Sequence, residues 1–377
     1  MNTDRRSFLK KAGITGAGLM STPLVSSSFG GTSFFPKFNF ELTPSSVQRS
    51  WMDLGFGMFI HFGVNTYYDK EWSDGTLDPY RVYPAELNTM EWCRIALEAG
   101  MKYIVIVCKH HDGFCLWPSK YTDYTIARSQ YSRDIIASLV NSCEKSGLKV
   151  GFYYSLWDQH EAYINNDDWH TLDFIKNQLE ELLTSYGPVV ELWFDGFWKR
   201  QQSGWTKITE EQQEGENIST DLKEQDENFI NAWRMEGAYR WQIDHLYNFV
   251  KRLQPDCLVM NNSTGSYKGV PLFPVDARTG ERYTNLENDR KIWNWLGKDI
   301  YMPLQIETTM STQGNQRFPS GNWYWHEWDH SVLLKDDILD HLNKAKAAEA
   351  NLLLNIGPDY RGKLRAEDED VLLNLNN

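Results

Sequence analysis

The sequence predicts an α/β fold, a (β/α)8 TIM-like barrel, regular or irregular, and three observations carry that expectation. Short runs rich in β-branched and aromatic residues alternate with amphipathic segments of helical period, the pattern of parallel strands joined by crossover helices. Six or seven such runs spread over ~320 residues fit a closed barrel better than an open sheet. No Gly-x-Gly-x-x-Gly or Walker pattern follows any of them, which weakens a nucleotide-binding sheet.

The strand-like runs are Gly57 to His61, Tyr103 to Cys108, Val150 to Tyr154, Val189 to Phe194, Cys257 to Met260, Leu304 to Ile306 and Asn351 to Gly357. Helical period appears over Thr89 to Ala99, stopping at Gly100, and over Arg133 to Cys143, with Gly147 beyond. It appears again over Leu172 to Leu183, and over Ala238 to Leu253, which ends before Pro255. Residues from about 199 to 228 break the rhythm. They are rich in Gln, Glu, Thr and Asp and follow the fourth strand directly, so a long acidic loop over one end of the barrel is expected there. There is no internal repeat, so 29–377 reads as one domain.

The chain of 377 residues carries a formal charge of −13, which argues against nucleic acid or an anionic membrane as partner. Its 16 Trp, 19 Tyr and 18 Phe stand out; many must line the core, and rings also suit the apolar faces of sugars. Arg5-Arg6-Ser7-Phe8-Leu9-Lys10-Lys11, an apolar stretch to about Val25 and Ser26-Ser27-Ser28 have the build of an export signal over residues 1–28. The paired arginines fit the twin-arginine type, with the general secretory type as alternative. Either implies a periplasmic or extracellular bacterial protein. No other run has the ~20 apolar residues of a membrane span. The five cysteines have no metal-finger spacing. Free thiols are expected, with Cys108 and Cys115 the pair best placed to join in an oxidising compartment.

Every strand-like run ends in side chains able to do chemistry: His61, His110 and His111, Tyr154, Asp195, Asn262 and Glu307. One end of a barrel lined this way is a polar pocket. Asp195, in Trp193-Phe194-Asp195-Gly196, stands at a strand mouth, where glycine lets the backbone approach a ligand. Retaining glycoside hydrolysis needs two carboxyls about 5–5.5 Å apart, a nucleophile and an acid/base. Asp195 suits the first role, and Glu281 and Glu307 are the two candidates for the second. His110 and His111 point to opposite faces of a regular strand, so both reach the pocket only if the strand bends at its end. With no His-x-x-x-His pair or acidic cluster, neither a metal nor a cofactor is expected.

Six motifs occur in order: Phe59-Ile60-His61-Phe62-Gly63, Glu71-Trp72, Lys109-His110-His111-Asp112-Gly113-Phe114, Tyr153-Tyr154-Ser155, Trp193-Phe194-Asp195-Gly196 and Asn351-Leu352-Leu353-Leu354-Asn355-Ile356-Gly357-Pro358. Together, from about Trp51 to Pro358, the chain resembles the α-L-fucosidases of glycoside hydrolase family 29. The resemblance implies a retaining mechanism with Asp195 as nucleophile. It implies a fucose pocket of His61, Glu71, Trp72, His110, His111 and Tyr154, with Trp72 packed on the C6 methyl. Trp193 is counted with these sugar-binding residues. Asp276 to Glu281 reproduces the spacing of an Asp-x-(Arg/Lys)-Thr-x-Glu segment that holds the acid/base in several members, which favours Glu281 and leaves Glu307 in reserve.

The chain departs from the family pattern twice. Many members have Asn-Asp-Arg after strand five. Here Asn261-Asn262-Ser263-Thr264 lacks the Arg, so Arg278 or Arg282 must replace it, and a related L-sugar such as an α-L-galactoside stays open as substrate. A C-terminal β-sandwich common in the family is not expected after Pro358, which would leave one flank exposed and favour a homo-oligomer. The expected function is an exo-acting α-L-fucosidase on fucosylated oligosaccharides or glycoconjugates. The rivals are a non-catalytic carbohydrate-binding barrel and a metal-dependent hydrolase built on His61, His110 and His111.

Overall fold

The computed structural model describes residues 42–161, 168–196, 241–262, 269–283, 286–287, 289–314 and 321–376. The expected export signal at 1–28, the acidic loop at about 199–228 and the first residues of the helix expected from Ala238 lie outside them.

In chain order the strands are β1 (Phe56–Ile60), β2 (Tyr103–Lys109), β3 (Lys149–Ser155), β4 (Glu191–Asp195), β5 (Leu258–Asn261), β6 (Arg278–Glu281), β7 (Ile292–Trp295), β8 (Lys298–Tyr301), β9 (Leu304–Thr309) and β10 (Ala350–Ile356). Eight of them form one sheet in the order β5-β4-β3-β2-β1-β10-β9-β6, while β7 and β8 make a separate antiparallel hairpin. Every pairing in the large sheet is parallel. The sheet curls into a barrel that is nearly closed. Main-chain ladders join all neighbours except β5 and β6, and there Asp276 spans the seam. Its N–H donates to Val259 O at 2.7 Å and its carboxylate accepts from Val259 N at 2.9 Å. All seven strands expected from the sequence are present. β6 was read as a motif rather than a strand, because Arg278-Thr279-Gly280-Glu281 has no apolar run to announce it.

The strands of the barrel are buried on both faces, as parallel strands under helices must be, which is why they read as continuous apolar runs. The helices over them are α1 (Ser46–Met52), α2 (Thr89–Glu98), α3 (Ile135–Ser146), α4 (Asp168–Ser185), α5 (Ile243–Leu253), α6 (Lys335–Ala347) and α7 (Ala366–Leu373). Their ends follow capping chemistry. Ser45 and Gln48 form a reciprocal capping box on α1, Asn88 caps α2, Asp134 caps α3, and Gly147 ends α3 at φ 75°. Among the described residues no helix intervenes between β5 and β6, and the β7–β8 hairpin stands where one would follow β6. The barrel is therefore irregular in that quarter. No helix among the described residues is long and apolar enough to cross a membrane.

Inside the barrel, Phe59, Tyr103, Val105, Val107, Tyr153, Trp193, Leu258, Met260 and Leu353 pack into one cluster. Below it Glu191 accepts from Trp51 Nε1 and from Gln305 Nε2, and burial raises its pKa to about 7. All five cysteines are buried free thiols. Cys93 and Cys143, from α2 and α3, approach to 3.6 Å, so the closest thiol contact is not between Cys108 and Cys115.

Candidate active site

Parallel strands send their C-terminal ends to one rim, and a side chain there faces inward or outward by strand parity. In β3 and β4, Tyr153 lies beside Trp193 and Ser155 beside Asp195, so these four share the inner face. Tyr154 and Phe194 take the outer one. The structure therefore corrects the expectation for Tyr154. Its hydroxyl donates to Gln178 at 2.7 Å and accepts from Lys109 Nζ at 3.0 Å, behind the barrel wall. Lys109 in turn pairs with Asp158 at 3.0 Å with both side chains fully buried. Burial works against that cation, but Asp158, Tyr154 and Cys115 together outweigh it and raise the lysine. The tyrosine at the rim is Tyr153, whose hydroxyl donates to Asp195 Oδ2 at 2.8 Å.

Asp195 ends β4 with 5% of its surface exposed. Its Oδ1 accepts from Gly196 N at 2.7 Å and from Asn262 Nδ2 at 3.2 Å. Burial raises its pKa to about 7, and the charge of Glu281 pushes the same way, against the Tyr153, Gly196 and Asn262 hydrogen bonds. Gly196 also has a use within the fold. At φ 75° its Cα lies against Ser155 and Trp157, and a Cβ there would sit 2.7 Å from Ser155 Oγ. The glycine is therefore required by the close approach of Ser155 and Trp157.

Glu281 ends β6, half-buried, and accepts from Asn262 Nδ2 at 2.7 Å. One amide nitrogen touching both carboxylates brings the two oxygens it contacts within about 6 Å of each other. Glu307 is the register partner of Glu281 on β9, yet it is only 1% exposed. It accepts from the Thr279 hydroxyl, from Gly280 N at 3.1 Å and from Trp193 Nε1 at 3.3 Å. Burial raises its pKa well above the ordinary carboxyl value. Glu307 is thus a strut under β6, and of the two candidates Glu281 is the carboxyl that stands with Asp195.

Both histidines after β2 reach the site. The register shifts between Val107 and Lys109, so Lys109 points outward and the chain turns, bringing the His110 and His111 rings within 4.1 Å of each other. His111 Nδ1 lies 2.7 Å from Ser155 Oγ, whose single proton goes to Trp157 O. Nδ1 therefore carries the hydrogen, and Nε2 faces Asp195 Oδ2 at 3.7 Å. His61 is fixed by the same reasoning. Asn355 Nδ2 donates to Trp323 O, so its Oδ1 accepts from His61 Nδ1 at 2.6 Å and leaves Nε2 as an acceptor. Burial lowers the His61 pKa to about 3, and burial together with the His111 and His61 charges lowers His110 well below the ordinary value, so both rings are neutral. His110 stacks at 18° on Tyr153, and its buried Nδ1 has no hydrogen-bond partner among the described residues.

The remaining expected residues divide. Trp72 is half-buried and edges against His111 at 4.9 Å and Trp157 at 5.8 Å, so it borders the histidines. Glu71 is buried and accepts from Trp323 N, Tyr324 N and His326 Nε2, which makes it an anchor for the 323–326 segment beside His61. Trp193 is 1% exposed. It stacks beneath Tyr153 at 5.0 Å and donates to Thr279, so it is floor rather than sugar platform. Of the two arginines weighed for the missing one, Arg278 is fully buried in a bidentate pair with Asp289. Arg282 lies over Trp323 at 4.9 Å and close enough to His61 to lower that ring's pKa further, and its Nε has no partner among the described residues. Sequence reasoning overlooked Tyr153 and the double role of Asn262. Strand parity counted back from Asp195 was the available signal for the first. Among the described residues no group of three or more His, Cys, Asp or Glu side chains is arranged to hold a metal ion.

A parallel barrel with two carboxylates close together at its strand mouths is an arrangement that glycoside hydrolases use. The chain belongs to the α-L-fucosidase family, whose model matches residues 76–377. Alpha-L-fucosidase 1 of Arabidopsis thaliana is 27% identical over 343 residues, which are 87% of this chain and 58% of that protein. The crystal structure of a glycoside hydrolase 29 family member from an unknown rumen bacterium is 26% identical over 88% of this chain and 56% of its own, with a TM-score of 0.66. Alpha-L-fucosidase isoenzyme 1 from Paenibacillus thiaminolyticus, 24% identical over 88% and 74% of the two chains with a TM-score of 0.65, shares the fold. The chain spans somewhat over half the length of the first two relatives.

Proposed function

We propose that this chain is an exo-acting retaining α-L-fucosidase. The observation that carries this reading is the Asp195–Glu281 pair, held within about 6 Å by Asn262 at the rim of a histidine-lined pocket. Asp195 is the nucleophile. The Tyr153 and Gly196 donors favour its anion, and burial strips the water that would blunt its attack on the anomeric carbon. Glu281, less buried and on the facing strand, protonates the leaving oxygen and then takes a proton from water. His61 Nε2 accepts from a sugar hydroxyl, His110 and His111 line the same rim, Arg282 supplies the cation, and Trp72 offers an apolar edge for the C6 methyl. The basic and apolar N-terminal stretch supports export from a bacterial cytoplasm, and the family supports a fucosylated glycan as substrate.

The test is release of 4-nitrophenol from its α-L-fucoside, with the α-L-galactoside as comparison and NMR of the first-formed anomer. The expected result is turnover with retention that Asp195→Ala abolishes. Unchanged turnover in Asp195→Ala, or inversion at the anomeric carbon, refutes the assignment. Faster turnover of the galactoside transfers the specificity to that sugar.

A further inference from the structure

A single side-chain amide joins the two carboxylates. Asn262 follows β5, on the far side of the seam from Glu281, and its main-chain N–H is held by Phe194 O at 2.9 Å, so it is fixed to the strand that carries Asp195. Its Nδ2 has two protons, one directed to Asp195 Oδ1 at 3.2 Å and one to Glu281 Oε1 at 2.7 Å. The reversed amide would set its oxygen against two carboxylates, so this orientation is forced. It leaves Oδ1 buried and, among the described residues, without a donor, a cost that a fold accepts where the donor side of the amide is in use.

We propose that Asn262 is a positioning residue that donates to whichever carboxylate of the Asp195–Glu281 pair is anionic at each stage of the double displacement. The inference rests on the retaining reading above. In the first step an Asp195 oxygen bonds to the anomeric carbon, the bond from that carbon to the leaving oxygen breaks, and the Glu281 proton moves to that oxygen. Negative charge passes from Asp195 to Glu281. In the second step water gives its oxygen to the anomeric carbon and a proton to Glu281, Asp195 departs with the bonding pair, and the charge returns. Because Asn262 already points one N–H at each carboxylate, neither transfer requires it to rotate. A donor in place beforehand avoids reorganisation as the charge moves. The amide also bridges the seam that lacks a main-chain ladder, so it fixes the gap between the two carboxylates. Among the described residues, the charged or titratable groups facing the pair include His111 from the end of β2, Tyr153 from β3, Arg282 beyond β6 and Glu307 from β9.

The experiment is kcat and KM on 4-nitrophenyl α-L-fucoside from pH 4 to 9 for wild type, Asn262→Ala and Asn262→Asp, with thermal melting as a check on folding. Asn262→Ala removes a donor from both carboxylates, so both limbs of the bell move up by about 0.5–1 pH unit, and kcat falls roughly 10–100-fold with KM little changed. Asn262→Asp keeps the shape and adds negative charge, so it moves the bell further in the same direction and remains informative if the alanine variant folds poorly. Reduced rates with an unshifted pH profile, or a loss borne by KM, overturn the role of Asn262 while the fucosidase reading stands. Wild-type protein inactive on the fucoside overturns both.

Discussion

Asp195→Asn trades catalysis for stability, and the size of the trade follows from the site. A carboxyl that ionises near 7 instead of 3.8 binds a proton in the native state that the unfolded chain has already lost between those values. The native state gains from that proton fully below about pH 4, and the gain disappears as the pH rises through 7. Above that pH the buried carboxylate costs up to about 4 kcal/mol, and relaxation around a pair of coupled carboxyls reduces this to about 2 kcal/mol. Asparagine has the same shape and never ionises. Its oxygen keeps the Gly196 and Asn262 donors, and its NH2 faces the Tyr153 hydroxyl, which then accepts. Urea unfolding at pH 4.5, 6 and 8 measures the difference. The variant is expected to exceed wild type by no more than about 1 kcal/mol at pH 4.5 and by about 2–4 kcal/mol at pH 8, with turnover lost throughout. Glu191 and Asp112, which burial also raises to about 7, titrate in both proteins and cancel from the comparison. Equal stabilities at pH 8, or an offset independent of pH, refute the reasoning.

The other expectations rest on separate contacts. Glu281→Ala loses roughly 10²–10⁴-fold in kcat on natural leaving groups and recovers with azide on an activated aryl fucoside, whereas Glu307→Ala gives no azide rescue and a lower melting temperature. Rescue in the second variant alone would exchange the two roles. Tyr153→Phe lowers kcat/KM by roughly 10–100-fold through the lost hydrogen bond to Asp195, while Tyr154→Phe leaves the steady-state constants near wild type; equal effects would contradict the strand parity. Lys109→Met alone leaves Asp158 buried without its cation and costs about 3–5 kcal/mol in urea unfolding. A cost under 1 kcal/mol would show that water reaches the pair.

The barrel was legible because its strands are buried on both faces and so appear as unbroken apolar runs, and because Gly147 and Pro255 mark helix ends in the sequence. β6 was not, since a four-residue strand made of Arg278, Thr279, Gly280 and Glu281 owes its place to pairing with β9 rather than to its own composition. At the site, Asp195, His61, His110 and His111 were identifiable from type and position. Tyr153 and Tyr154 are chemically identical neighbours, and only the register of Ser155 against Asp195 decides which one faces inward. Glu71 was assigned to the sugar by the family resemblance, and Trp193 was counted with it. Their own hydrogen bonds, to the 323–326 segment and to Thr279, lie far apart in sequence and left no local trace. Between Glu281 and Glu307 the motif spacing of the resemblance favoured the first, whereas the residues' chemistry alone left both open; their difference in burial is a tertiary property that a sequence does not state.

The seam between β5 and β6 gives this barrel the mechanics of a split ring. A closed ring resists spreading equally all round, but a split ring concentrates its compliance at the cut. Here the cut separates the β4–β5 side, which bears Asp195, from β6, which bears Glu281, and two side chains, Asp276 below and Asn262 at the rim, act as its clasps. Among the described residues only one main-chain bond, from Asp276 N to Val259 O, accompanies these clasps, so side chains share in setting the width on which the chemistry depends, and point substitution can retune it without disturbing a single strand ladder.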